Sequence, residues 1–246
     1  MKSIAKKTFW AAYDNLGGLI LLNLTWSILS LPWAMVGYAL VILGATAPGW
    51  ELFIASFLAF EIVLFSPPTL LLFAAGMRWA AGEAVQLKIL FAEVRKLAFR
   101  GQVLGLIFFF TSLLLLINLY FYRQIGGWAG LILGCTMVWF IVALLLMSPY
   151  VYPLLIFRQG DLWDTLSQSF LLMVDNIKLS IGLFLAIIIT LLIGAISVAG
   201  LFCGLFAILV LMVCICFREL LPKYTGQQLR EQTPRKWREL IRPWEV

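Results

Sequence analysis

The chain has 246 residues, 63% of them hydrophobic and 12% charged, with a formal net charge of +6 and a mean hydropathy of +1.01. Soluble domains carry about 45–50% apolar and about 25% charged residues, so a water-soluble globule is excluded, and the wealth of aromatic and branched side chains excludes disorder. A polytopic integral membrane protein is left. Histidine is absent, which removes Ser/His/Asp and Cys/His catalytic groups and His-containing zinc sites. The four cysteines, Cys135, Cys203, Cys214 and Cys216, lie in apolar runs and read as small buried hydrophobes. Cys214 and Cys216 have C-x-C spacing with no second ligand pair, so neither a metal site, a disulfide framework nor a cofactor is expected.

A membrane-crossing helix needs about 20 predominantly apolar residues. That ruler predicts six spans, at 16–43, 52–75, 103–122, 128–157, 179–198 and 201–221. The first and fourth exceed a bilayer's thickness and should tilt or kink, with Pro32 in the first and Pro149 and Pro153 in the fourth as the kink candidates. Pro67 and Pro68, after Ser66, mark a further bend. It reads either as a broken helix lining a cavity or as a bend near the interface, and its place at the span's end favours the second. The last two spans are divided only around Ala199-Gly200, with Gly194, Gly200 and Gly204 available for a tight turn. The start Met1-Lys2-Ser3-Ile4-Ala5-Lys6-Lys7 is followed by too long an apolar stretch for a signal peptide and reads as the lead into an uncleaved span.

Lys and Arg set the orientation. Three (Lys2, Lys6, Lys7) precede the first span. Five (Arg78, Lys88, Arg95, Lys96, Arg100) fall in the second connection, two (Arg158, Lys178) in the fourth, and seven (Arg218, Lys223, Arg230, Arg235, Lys236, Arg238, Arg242) in the tail. The opposite side holds only Arg123. Both termini are therefore expected in the cytoplasm, and an even number of spans is needed to keep this separation.

Two connections read as amphipathic helices. From about Arg78 to Arg100, Leu87, Leu90, Phe91, Val94, Leu97 and Ala98 share one face and Lys88, Glu93, Lys96 and Arg100 the other, with Gly101 as a C-terminal stop. After the fourth span, Asp161 suits an N-cap. Leu162, Leu166, Phe170 and Met173 then form an apolar stripe against Asp164, Gln168 and Asp175. Such helices lie on the inner headgroup layer or dock a cytoplasmic partner. The acidic character of the second leaves room for a partner. The tail, Thr233-Pro234-Arg235-Lys236-Trp237-Arg238-Glu239-Leu240-Ile241, resembles a capped helical turn; Arg235, Lys236, Trp237, Arg238 and Arg242 are candidates for lipid headgroups, each cation adding about 1 kcal/mol near an anionic surface. Nucleic acid is not an expected partner. The chain thus divides into a transmembrane part, 1–221, and a basic cytoplasmic tail, 222–246.

Short strings recur. Ile-Val-Leu-Phe-Ser66-Pro67-Pro resembles Leu-Leu-Leu-Met-Ser148-Pro149-Tyr, and Asp14-Asn15 before the first span matches Asp175-Asn176 before the fifth. The pattern suggests three units of about 80 residues, each a short interfacial helix and a hairpin of spans. The expected fold is all-α: a six-helix membrane bundle with amphipathic connecting helices on its cytoplasmic side.

Ionisable residues at membrane depth are functional candidates. Here Glu61, midway along the second span, is one, with Asn23 and Asn118 as further candidates for binding a substrate or ion. Packing glue between helices is the competing reading for all three, and the lack of a second buried carboxylate argues against a proton relay.

The runs Tyr13-Asp14-Asn15-Leu16-Gly17, Asn23-Leu24-Thr25-Trp26, Leu31-Pro32 and Ser66-Pro67-Pro68-Thr69, with the amphipathic helix that follows, resemble the YesL-like bacterial membrane proteins over most of the chain. The resemblance implies a small multi-pass protein of the bacterial inner membrane, often encoded beside carbohydrate uptake systems. It carries no assigned catalytic or binding residues, and the Trp-containing basic tail departs from it. The function expected is a non-enzymatic, transport-associated component, accessory or permease-like, partnered by transporter subunits or by copies of itself within the bilayer. The alternative is a self-contained small-solute carrier using Glu61 and the kinked spans.

Overall fold

The computed structural model describes residues 2–46, 49–196 and 204–226. These form helices α1 (Lys2–Asp14), α2 (Leu16–Leu29), α3 (Leu31–Ala45), α4 (Trp50–Leu64), α5 (Pro67–Ala80), α6 (Leu87–Ile125), α7 (Gly127–Arg158), α8 (Leu162–Asp175), α9 (Ile177–Ile196) and α10 (Leu205–Thr225), with no strand among the described residues. The protein is all-helical, with four helices, α6, α7, α9 and α10, each long and apolar enough to cross a membrane. The six expected spans are reached when the bent pairs α2–α3 and α4–α5 each count as one. The basic tail from 227 on, with Arg235, Lys236, Trp237, Arg238 and Arg242, lies outside the described residues, as do Cys203 and the Ala199-Gly200 boundary.

Proline acts differently at each candidate kink. The chain turns by 55° between α2 and α3, with Pro32 in the first turn of α3, where its missing N–H costs no hydrogen bond. Between α4 and α5 it turns by 53°. Ser66 is extended there (φ −78°, ψ 153°), as a residue before proline tends to be. This bend is not a handover to a surface helix. Ten residues of α5, including Leu70 to Gly76, are buried, so it drives α5 into the centre of the protein. Pro149 and Pro153, by contrast, lie inside α7 without ending it; each removes one backbone bond, and the buried packing of Tyr150–Leu155 holds the helix together around them.

The second connection also differs from expectation. Arg78 belongs to the last turn of α5, and the amphipathic segment is the start of α6, which runs without interruption through Gly101. A glycine stops a helix when it takes a left-handed conformation; Gly101 and Gly105 are helical, and Gly105 permits close approach instead. A Cβ there would lie 2.8 Å from the carbonyl oxygen of Phe65. Asp161 does occupy the N-cap position of α8, but its side chain makes no capping bond.

Helix α10 is the other central element. Val210, Leu211, Cys214, Cys216 and Phe217 are buried, and α10 approaches α5 so closely that a Cβ on Gly76 would lie 2.9 Å from the Cys214 sulfur. Cys135, expected to be buried, is exposed on α7. Its apolar neighbours, such as Ile132 and Trp139, are exposed too, as side chains facing lipid are.

The recurring dipeptides repeat their bonding. Asn15 Nδ2 donates to the Ala11 carbonyl (2.9 Å) and Asn176 Nδ2 to the Leu172 carbonyl (3.1 Å), while their own carbonyls accept the first bonds of the next helix, from Leu19 and Ser180. Ser66 and Ser148 each donate their hydroxyl three residues back, at 2.7 and 2.9 Å.

Cationic side chains fasten the ends of the helices. Arg100 Nη1 donates to the carbonyls of Gln159 (2.8 Å) and Gly160 (3.2 Å), meeting the electronegative C-terminal end of α7. Lys7 pairs with Glu219, Arg78 with Glu93, and Lys223 with Asp175. Solvent screens these wholly or partly exposed pairs, so each adds little stability. Asp175 accepts hydrogen bonds from both Lys223 and Tyr224, which hold its carboxyl below its ordinary pKa. The stabilisation is therefore complete above the ordinary carboxylate pKa of about 3.9 and lost as pH falls through the lower folded value. Asp175→Asn should remove this acid-side loss, read as melting temperature between pH 6 and 3.

Candidate functional site

Two of the buried polar residues, Ser66 and Thr69, belong to the α4–α5 bend. Two adjacent prolines leave carbonyls of the preceding turn without their helical donors, and the sequence supplies replacements. The Val63 carbonyl accepts from Ser66 Oγ at 2.7 Å and Thr69 Oγ1 at 3.0 Å. Trp26 Nε1, from α2, donates to Thr69 Oγ1 at 2.9 Å. Tyr152 of α7 reaches the Ser66 carbonyl at 3.4 Å and stacks edgewise on Phe65 and Phe73. The break is thus closed by its own side chains and by two neighbouring helices.

Glu61 lies one turn before this bend, 4% exposed. Its Oε1 accepts a 2.7 Å hydrogen bond from Ser112 Oγ of α6, and its Oε2 is buried with no hydrogen-bond partner. Asn23 is fully buried on α2, and its Oδ1 accepts from the backbone N–H of Ala207 at 3.3 Å. That N–H is in the first turn of α10, whose N-cap is Gly204 and has no side chain to offer. Asn23 therefore caps α10 from a neighbouring helix, meeting a donor that helix geometry leaves free. Asn23→Ala should cost about 1 kcal/mol, read as a lower melting temperature of the detergent-solubilised protein. Asn118 turns its amide back to the Leu114 carbonyl of its own helix at 2.8 Å.

The three sequence candidates are thus dispersed: Glu61 engages α6, Asn23 engages α10 and Asn118 its own helix. The partners that matter, Ser112, Ser66, Thr69, Trp26 and Tyr152, were missed among the candidates. For Ser66, Thr69, Trp26 and Tyr152 the one signal in sequence is the double proline, which demands substitute donors nearby; Ser112 has none.

Chambers among the described residues include the following three. One, of about 450 Å³, lies at the α6–α7 turn among Trp50, Tyr120, Arg123, Gly130 and Cys135; the Arg123 guanidinium sits 4.8 Å from the centre of the Trp50 ring. At the other end of α7 are a small chamber of about 200 Å³ and a larger, mainly apolar one of about 570 Å³. Glu61 lines none of these. No group of three or more metal-ligating residues occurs among the described residues. Comparison with protein-family models, with curated proteins and with solved structures finds no match to this chain.

Proposed function

We propose that this protein is a non-enzymatic component of a membrane transport assembly, acting as an accessory subunit. The observation that carries this reading is the filled centre of the bundle: α5 and α10 occupy it, and Trp26, Ser112, Tyr152 and Asn23 spend their polar groups on bonds between helices. Such a body serves better as a packing partner than as a conduit. The resemblance to YesL-like proteins points the same way and suggests a carbohydrate importer of the bacterial inner membrane. In this reading both termini are cytoplasmic, because seventeen of the 18 cations fall on one side of the six spans. A reporter fused after Val246 is then active only in the cytoplasm.

The test is purification from native membranes in mild detergent, with flux measured in liposomes holding this protein alone. Stoichiometric retention of a permease or nucleotide-hydrolysing subunit, with no flux from the isolated protein, is the expected result. Flux by the isolated protein overturns the accessory role. A carrier is the second reading, favoured by the unpartnered Glu61 Oε2, since a buried carboxylate oxygen without a donor is a place for a proton or cation. Under it, Glu61→Gln changes both the rate and the pH dependence of that flux.

A further inference from the structure

The two chambers at the cytoplasmic-side end of α7 share Leu154, Arg158 and Gln168 in their walls. They are adjoining parts of one space, the smaller one richer in polar side chains. The smaller has polar side chains over part of its wall, Arg158, Asp164, Thr165 and Gln168 beside Leu154 and Gly160. The larger is chiefly apolar, between the ends of α7, α8 and α10, with Phe157, Leu171, Leu172, Phe217 and Leu220 in its walls. Their combined size falls in the range of small-molecule sites. A partly polar cell opening onto a chiefly apolar one is the shape of a site for an amphiphile.

The charges narrow the choice. Arg158 and Asp164 line the smaller chamber, and neither has an ion-pair partner among the described residues. Asp175, the carboxylate that lines the larger chamber, is committed to Lys223 and Tyr224. Arg100 fixes the chamber's backbone wall through the Gly160 carbonyl. One free guanidinium and one free carboxylate in the same cell match a ligand that carries a phosphate and an ammonium together. A guanidinium suits phosphate, and a carboxylate suits a primary ammonium.

The outer face of α8 sets the depth. Trp163, Phe170, Leu171 and Val174 are all exposed, while Thr165, Ser169 and Met173 pack inward. The helix therefore turns a small, mostly polar row to the bundle and an apolar face away from it, with Asp161, Asp164 and Asp175 in the remaining sector. A helix of this kind, carrying an exposed Trp, lies in the headgroup layer, and its chamber opens at that level.

We propose that this composite chamber is a binding site for one zwitterionic aminophospholipid. Its phosphate lies on Arg158, its ammonium on Asp164, and part of an acyl chain in the apolar chamber between α8 and α10. The full-length protein, reconstituted in nanodiscs of phosphatidylethanolamine, phosphatidylglycerol or phosphatidylcholine, is released for native mass spectrometry and its retained lipids are counted. One phosphatidylethanolamine per chain is expected, retained at least about tenfold better than either of the others. Arg158→Gln should abolish retention of any lipid at this site, and Asp164→Asn should erase the preference for phosphatidylethanolamine over phosphatidylcholine. Leu171→Trp narrows the apolar chamber from an exposed position and should weaken retention with both charges intact. Circular dichroism and elution volume confirm that each variant is folded. Equal retention of all three lipids, a preference for phosphatidylglycerol, or wild-type retention by folded Arg158→Gln overturns the proposal. So does equally tight binding of glycerophosphoethanolamine, the same headgroup without chains, which makes the chamber a site for a soluble ligand.

Discussion

Gly105→Leu should leave little correctly folded protein. The glycine faces the α4–α5 bend, where a Cβ would stand 2.8 Å from the Phe65 carbonyl oxygen and 2.9 Å from its Cβ. The obstructing atoms are backbone and the first side-chain atom, so no rotamer change relieves the clash, and α6 has to move away from the bend. Overpacking of this kind costs about 1–3 kcal/mol even for small additions. Gly105→Ala should fall in that range and the leucine variant beyond it. Displacing α6 also separates Ser112 from Glu61, joined at 2.7 Å, which adds a carboxylate with neither oxygen bonded. Gly17→Ala is the control: a Cβ there meets nothing within 4 Å. The measurement is thermal unfolding of detergent-solubilised protein followed by size-exclusion chromatography. A Gly105→Leu variant as stable as the Gly17→Ala control would show that α6 does not lean on the bend.

Tyr152→Ala should destabilise by about 3–5 kcal/mol, the usual cost of deleting a large buried ring. The ring packs edgewise between Phe65 and Phe73, with centroids 5.7 and 5.4 Å away, and so ties α7 to both sides of the α4–α5 bend. Tyr152→Phe should cost less than about 1 kcal/mol, because the hydroxyl's bond to the Ser66 carbonyl is long, at 3.4 Å. The pair of variants separates ring packing from hydrogen bonding. A phenylalanine variant as unstable as the alanine one would assign the anchoring to the hydroxyl instead. Melting temperature in detergent reads both.

Particular residues show what could be read before the fold was known. The double proline at Pro67-Pro68 announced a bend, and Pro32 announced another, because proline's geometry is local. Pro149 and Pro153 carried the same local signal and produced no break, since the packing around Tyr150–Leu155 compensates for the lost bonds. Local chemistry states that a bond is missing; neighbouring helices decide whether the chain must bend. Glu61 stood out as a lone carboxylate in an apolar run, but its partner Ser112 lies 51 residues away, and nothing in the intervening sequence joins the two. Asn23 was a candidate for a ligand and proved to cap a helix that begins at Leu205. Asparagine offers the same carbonyl oxygen to a solute or to an N–H, so its residue type alone could not separate the two.

By itself the sequence determined the class of the protein: 63% hydrophobic and 12% charged residues admit only a bundle of helices that satisfy their own backbones in lipid. It also marked the apolar stretches that helices occupy, because span length is a one-dimensional signal. Tertiary structure alone decided which of them lie in the middle. Lipid tails are as apolar as a leucine core, so hydropathy reads the same on a helix facing the bilayer as on one facing the bundle. The largely buried α10 and the lipid-facing stretches of α7 are both strongly apolar, and close contact with α5, α2 and α1 rather than composition makes α10 the centre.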